Sequence, residues 1–318
     1  MVLDVLRSGI VPLMHWFLIA LIGPTLYALS NHLDKLILSR YIQEDNSDRW
    51  VLTAFSSLFG TLIVPIAFFF DHSVFSVPLA VALWLMGIGM FLMGALFLYY
   101  TALQRDEASY VVPFYQTIPV FTYIIGLFVL GETLTPLQLL GGTIILAGTL
   151  VLSFEGVFSD LRFKRGVVLP MLGASVLMAL NDVFFKVFAL ETSFWASVFW
   201  TYAGAGLAGL ALLTLSTRTR VGFLNYLRRN SIPGVTAAST SETFFVTAEV
   251  AMHYATLLAP VVLVSLVNAL QPAFVLLLGI VLTLFFPRLG QESVSSTALI
   301  QKGGALVLLV LGTYLIGG

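Results

Sequence analysis

Ala28-Leu29-Ser30-Asn31-His32-Leu33-Asp34-Lys35 and Met178-Ala179-Leu180-Asn181-Asp182-Val183-Phe184-Phe185-Lys186 decide the reading of this chain. In each, an apolar helical run is broken by a polar residue, Asn31 or Asp182, four places before a lysine. With Lys35 laid on Lys186, further matches follow in the same order. Tyr100-Thr101-Ala102-Leu103 echoes Tyr254-Ala255-Thr256-Leu257, and Gln116-Thr117-Ile118-Pro119 echoes Ala269-Leu270-Gln271-Pro272. Gln138, Gly141-Gly142 and Gly148-Thr149 echo Gln301, Gly303-Gly304 and Gly312-Thr313. The chain therefore reads as two repeats, 1–155 and 156–318, in one membrane domain without a soluble module.

Composition names the solvent. Of 318 residues, 59% are hydrophobic and 10% charged, with a mean hydropathy of +0.99. A soluble domain covers its surface with about 25% charged residues. Lipid must surround most of this chain. A net charge of −1 excludes a nucleic-acid binder that works by neutralising phosphates. The absence of cysteine excludes disulfides, thiolate metal sites and cysteine nucleophiles.

A helical span needs about 20 mostly apolar residues. Ten such stretches are legible: roughly 12–39, 50–70, 77–103, 108–130, 135–154, 166–189, 194–216, 232–257, 260–286 and 297–316. The alternation of a membrane β-barrel is missing, so the fold class is all-α integral membrane. Five spans per half is an odd number, so the repeats enter the membrane from opposite sides. Inverted repeats around a central cavity mark secondary transporters, with the substrate near the midplane. Asp4, a single Arg7 and a long apolar run point to a retained first span rather than a cleaved signal. The stretch 217–231, with Arg218, Arg220, Arg228 and Arg229 around Val221, Phe223, Leu224 and Leu227, reads either as an interfacial helix or as a basic loop. The loops after odd-numbered spans hold Arg40, Arg49, Arg105, Arg162, Lys164, Arg165, Arg218, Arg220, Arg228, Arg229 and Arg288, against Arg7 on the other side. By the positive-inside rule those loops are cytoplasmic and both termini outside.

The five-plus-five plan, a lysine late in the first span of each half and a proline inside the fourth are joined by the run Gly131-Glu132-Thr133-Leu134-Thr135-Pro136-Leu137-Gln138-Leu139-Leu140-Gly141-Gly142. Together they resemble the drug/metabolite transporter superfamily, in its EamA-type branch, over essentially the whole chain. Leu289-Gly290-Gln291-Glu292 stands where the second half would repeat Gly-Glu. The resemblance implies alternating access by rocking of helix groups around a cavity, without an ATPase domain. It names no substrate, since members carry amino acids, nucleotide sugars, cationic drugs and other metabolites. It also implies cytoplasmic termini, opposite to the charge count.

An ionisable group inside a span needs a partner or an aqueous cavity, at about 2.5–3.5 kcal/mol otherwise. Asn31, Asp34 and Lys35 share one face of span one. They read as a structural contact or as a lysine meeting a carboxylate-bearing ligand. Asp182 and Lys186 are spaced to pair within span six, or to act with Asp34 and Lys35 as gates at opposite faces. Glu242, Glu249 and His253 share one face of span eight, and a carboxylate at that depth can hold and exchange a proton. They are the substrate or proton candidates, with hydrogen bonds to Ser239, Ser241 or Thr243 as the alternative role. Tyr115, Gln116, Asn268 and Gln271 lie mid-span beside Pro119 and Pro272 and, with Asn31, read as further substrate or proton candidates lining the cavity, the prolines either freeing backbone carbonyls there or simply kinking their helices. Gly87, Gly89 and Gly94 suit close helix approach. Trp16, Trp50 and Trp195 fit an interfacial belt.

The expected function is secondary active transport of a small polar or amphipathic metabolite, proton-coupled. Mixed Lys and Glu favour an amino-acid-like zwitterion over a drug, organic-cation, nucleotide-sugar or lipid-linked substrate. The other classes are a non-transporting structural or signalling membrane protein, which the costly buried charges disfavour, and a membrane enzyme, for which Glu249 and His253 supply only two ligands of the three or four that a metal site needs. No catalytic residue, metal or cofactor is expected. The expected partners are the bilayer, the substrate and a proton, with no nucleic acid, in a prokaryotic inner membrane. Oligomeric state is left open.

Overall fold

The structure, a computed structural model, describes residues 10–41, 48–105, 111–153, 165–229, 232–285 and 296–317. Its helices are α1 Ile10–Tyr41, α2 Asp48–Gly60, α3 Ile63–Phe70, α4 Leu79–Leu103, α5 Ile118–Leu130, α6 Pro136–Ser153, α7 Arg165–Glu191, α8 Phe194–Leu215, α9 Thr217–Arg229, α10 Ile232–Leu258, α11 Val261–Asn268, α12 Gln271–Phe285 and α13 Ser296–Gly317. Short 3-10 segments, His72–Ser76 and Val112–Thr117, precede α4 and α5. No strand occurs among the described residues. The Leu289–Glu292 run and Arg7, Arg162, Lys164 and Arg288 lie outside them.

Among the described residues, six segments are long and apolar enough to cross a membrane: His15–Asp34, Arg49–Phe70, Leu79–Leu103, Arg165–Glu191, Phe194–Leu215 and Val261–Val281. Phe114–Leu130, Pro136–Leu152 and Lys302–Ile316 are shorter apolar helices. α10 has the length, 27 residues, but its serines, threonines and glutamates set it apart. The outer surface is apolar: Phe69, Phe128, Leu215 and Tyr314 expose 73%, 82%, 87% and 80% of their area. Such side chains are stable only against lipid, and the chain is an integral multi-pass membrane protein.

The principal packing pairs are α1 with α10, α6 with α13, α4 with α7, and α8 with α4, α2 and α3. α5 packs on α7, and α11 and α12 pack on α1. Two breaks matter for the interior. Pro119 lies in the first turn of α5, directly after a 3-10 segment, and Pro272 is the second residue of α12, after the break at Ala269–Leu270. These prolines therefore open new helical segments instead of kinking continuous ones, because a first-turn proline leaves no hydrogen bond unmade. The basic stretch after α8 is helical as α9, with Val221, Leu224 and Leu227 exposed. Trp16 departs from the interfacial expectation. It is 3% exposed and packs edge-on to Phe17 in the α1–α10 core, because α1 begins before it at Ile10.

Glycine decides the closest approach. A Cβ on Gly204 would overlap the backbone of Met86, and one on Gly89 would overlap the Thr201 carbonyl, so α4 and α8 touch backbone to backbone. Gly94 faces only the Leu177 side chain, at 3.1 Å, and Gly87 meets nothing within 4 Å. Gly204→Ala is expected to lower stability by about 3 kcal/mol through overpacking. Gly87→Ala leaves the melting temperature in detergent unchanged or raises it. Equal melting temperatures for the two variants would contradict the α4–α8 contact.

Candidate functional site

Where the broken helices meet α1, α4 and α10, a cavity of about 920 Å³ of empty space, mouth included, opens among polar side chains. Its acids are Asp34 from α1 and Glu242 from α10. Glu242 accepts a hydrogen bond from the Ser56 hydroxyl of α2, which also lies 3.4 Å from the Tyr100 hydroxyl. Asp34 accepts from Ser241 at 2.5 Å, and Ser241 lies 2.7 Å from Ser30. Ser239 and Thr243 do not bind the glutamate as the sequence allowed: Thr243 turns back to the Ser239 carbonyl, one helical turn away.

Asn31, Tyr115, Gln116, Asn268 and Gln271 all line this cavity, and so does Pro119. The Gln116 Oε1 and Asn268 Oδ1 atoms are buried without a hydrogen-bond partner. Tyr27, Tyr99, Tyr100 and Phe245 add aromatic walls that sequence reading did not assign to a site. No lysine, arginine or histidine is among the described lining residues. A second hollow beside Asp34 and Glu242 continues along Ile37, Leu52, Leu103 and Tyr226, toward the helix ends that carry the basic loops. The Lys35 side chain lies outside the described residues.

Lys186 sits elsewhere, and with a partner that the helical spacing did not suggest. Its ammonium donates to Glu132 at 2.5 Å and to the Ala259 carbonyl at 2.8 Å, while Glu132 also accepts from the Val261 amide at 2.7 Å. The intrahelical Asp182–Lys186 pair is not formed, because Asp182 turns toward Asn181 and His253. Gly131 makes the Glu132 contact. Its φ of +66° ends α5 in a left-handed turn, and the Glu132 amide returns to the Gly126 carbonyl at 3.3 Å. The glutamate is thereby folded back under α5 toward α7 and α11. This latch ties three helix ends together at the face opposite the hollow.

Between latch and cavity lies a third polar layer. Glu249 and His253 are 2% and 1% exposed and do not line the cavity; Tyr27, which does, donates its hydroxyl to Glu249. From Glu242 to Glu249, α10 climbs about 10 Å at 1.5 Å per residue. His32 is separate from both acids, its Nε2 lying 3.2 Å from the Val275 carbonyl.

A solved crystal structure aligns with 94% of this chain and 95% of its own, at a TM-score of 0.64 and 20% identity, which shows a shared fold. No curated protein matches the chain. Residues 14–154, from α1 through α6, match the EamA-like transporter family, consistent with the drug/metabolite transporter superfamily.

Proposed function

We infer that the protein is a secondary transporter that exchanges protons for an organic cation with an aromatic or amphipathic body. The observation that carries this reading is the cavity's charge: two carboxylates, two unpartnered amide oxygens and aromatic rings, with no basic side chain among the described lining residues. Such a wall accepts hydrogen bonds and favours cations over ring faces. A zwitterion would need a cationic partner for its carboxylate, and of the two lysines at the echoing positions Lys186 is engaged by Glu132 instead. Glu242 is the group that a proton and the cation would occupy in turn.

Ten spans in two inverted repeats are the architecture that goes with this reading. Exchanging the halves maps the α1–α10 pair onto α7–α4, and the α5–α7 pair onto the packing of α11 and α12 on α1. It leaves α6–α13 and the packing of α8 on α2 and α3 as self-paired contacts. Alternating access would rock these pairs past one another, with the Lys186–Glu132 latch closing one face while the cavity communicates with the other. If the basic loops are cytoplasmic, that open face is the inner one.

Thermal stabilisation of the detergent-purified chain by a panel of organic cations, zwitterions and anions tests the substrate class. Aromatic or amphipathic amines should raise the melting temperature, and anions should not. Stabilisation by amino acids alone would return the substrate to the zwitterion class.

A further inference from the structure

Two carboxylates and an imidazole converge between α7 and α10, behind the cavity wall. Asp182, Glu249 and His253 each present a ligand-type atom within 4.8 Å of the other two. His253 Nε2 lies 3.6 Å from Asp182 Oδ1 and 3.9 Å from a Glu249 oxygen. Direct hydrogen bonds between nitrogen and oxygen run about 2.7–3.2 Å, so these contacts are too long to be good ones. They suit donors that share one ion, because metal–ligand bonds of about 2.0–2.2 Å set neighbouring ligands about 3–4 Å apart. Phe185 stacks on the His253 ring, centroids 4.0 Å apart and planes 12° from parallel, and holds it in this orientation.

Asn181 supplies a second observation. It is fully buried, its amide nitrogen lies 3.1 Å from His253 Nε2 and 3.3 Å from Asp182 Oδ1, and its carbonyl oxygen has no partner. Amide oxygen and nitrogen exchange places by a half turn of the side chain. That turn puts a carbonyl oxygen beside His253 Nε2 as a fourth donor. Meanwhile the ammonium one turn along from Asp182, that of Lys186, is engaged by Glu132.

We propose that Asp182, Glu249 and His253, with the Asn181 carbonyl oxygen, bind one divalent first-row transition cation of the Zn²⁺ or Mn²⁺ type. Two carboxylates and a neutral imidazole balance a charge of 2+, as a site enclosed in apolar surroundings requires. The imidazole turns the set away from Mg²⁺ and Ca²⁺, which take oxygen ligands. Tyr27 supports the Glu249 carboxylate from outside the ligand set and lines the cavity as well, so the ion would tie α7 to α10 and reach the cavity wall through one phenol. Sequence spacing offered only Glu249 and His253, one turn apart; the fold adds Asp182 from another helix.

This site does not depend on the transport reading. The full-length protein, purified in detergent and stripped with a chelator, is dialysed against Zn²⁺ or Mn²⁺, and its metal content and melting temperature are measured. One ion per chain and a raised melting temperature are expected. Asp182→Asn and His253→Gln should lose the ion, whereas Glu242→Gln, a carboxylate of the cavity, keeps it. A content that survives both ligand substitutions, an adventitious ion only, overturns the proposal. Should the substituted chains fail to fold, the unsubstituted chain decides alone: neither ion retained at one per chain and no rise in melting temperature overturns it, and leaves a cluster that holds protons only.

Discussion

Glu242→Gln is expected to abolish proton-driven accumulation of substrate. Exchange of one proton for one monovalent cation supplies about 1.4 kcal/mol for each pH unit across the membrane, which sets an accumulation limit of about tenfold. Glutamine keeps the size of the side chain and can still meet the Ser56 hydroxyl, but it carries no exchangeable proton. The variant should therefore bring the internal concentration no higher than the external one, whatever the gradient. Its affinity for a cationic ligand should also fall, because a hydrogen bond to a charged partner contributes about 1.5–3 kcal/mol. Asp34→Asn leaves Glu242 in place and should weaken binding while accumulation persists. Undiminished pH-driven accumulation by the Glu242 variant would remove it from the coupling role.

Lys186→Met is expected to open the face that the latch closes. Lys186 and Glu132 have side chains 10% and 15% exposed, and removing one partner of a buried ion pair costs about 3–5 kcal/mol because the other charge is stranded. That cost falls on the latched state alone, since a Glu132 released to the membrane face regains water. The native chain has no cysteine, so Ser265→Cys, in the cavity wall, gives a single reporter. In otherwise unaltered protein, a membrane-impermeant maleimide should reach it from one side of the membrane. With Lys186→Met it should react from both sides, and with Glu132→Gln in addition the one-sided pattern should largely return, as neither charge is then unpaired. Labelling that ignores Lys186 would make the pair a static brace.

Much of this was legible before any coordinates. The apolar stretches fall on helices, and the two echoing proline sites mark the breaks that let Gln116, Asn268 and Gln271 reach the cavity. Hydropathy and punctuation are local, so they survive translation into structure. What failed was partner choice. Helical spacing made Asp182 the natural partner of Lys186, whereas the acid that binds it stands 54 positions away in a loop. The signal was present in Gly131-Glu132: a glycine at a helix end, followed by an acid, is a turn that can carry a charge back across the helix terminus. Glu249 and His253 shared a face with Glu242, yet the α10 face passes through two environments as it rises, cavity first and buried cluster second. Trp16 failed for a similar reason. Nearness to the start of an apolar run says little about burial when the helix extends past it on the N-terminal side.

Uptake into liposomes containing the purified protein tests the central claim most directly. A mixed metabolite extract outside, mass spectrometry of the contents and a pH gradient, either imposed with the interior acidic or left out, complete the experiment. The account predicts enrichment of cationic, ring-bearing or amphipathic compounds when the interior is acidic, and simple equilibration without the gradient. Enrichment of anionic or zwitterionic compounds alone, or no enrichment of any compound under either condition, would contradict it.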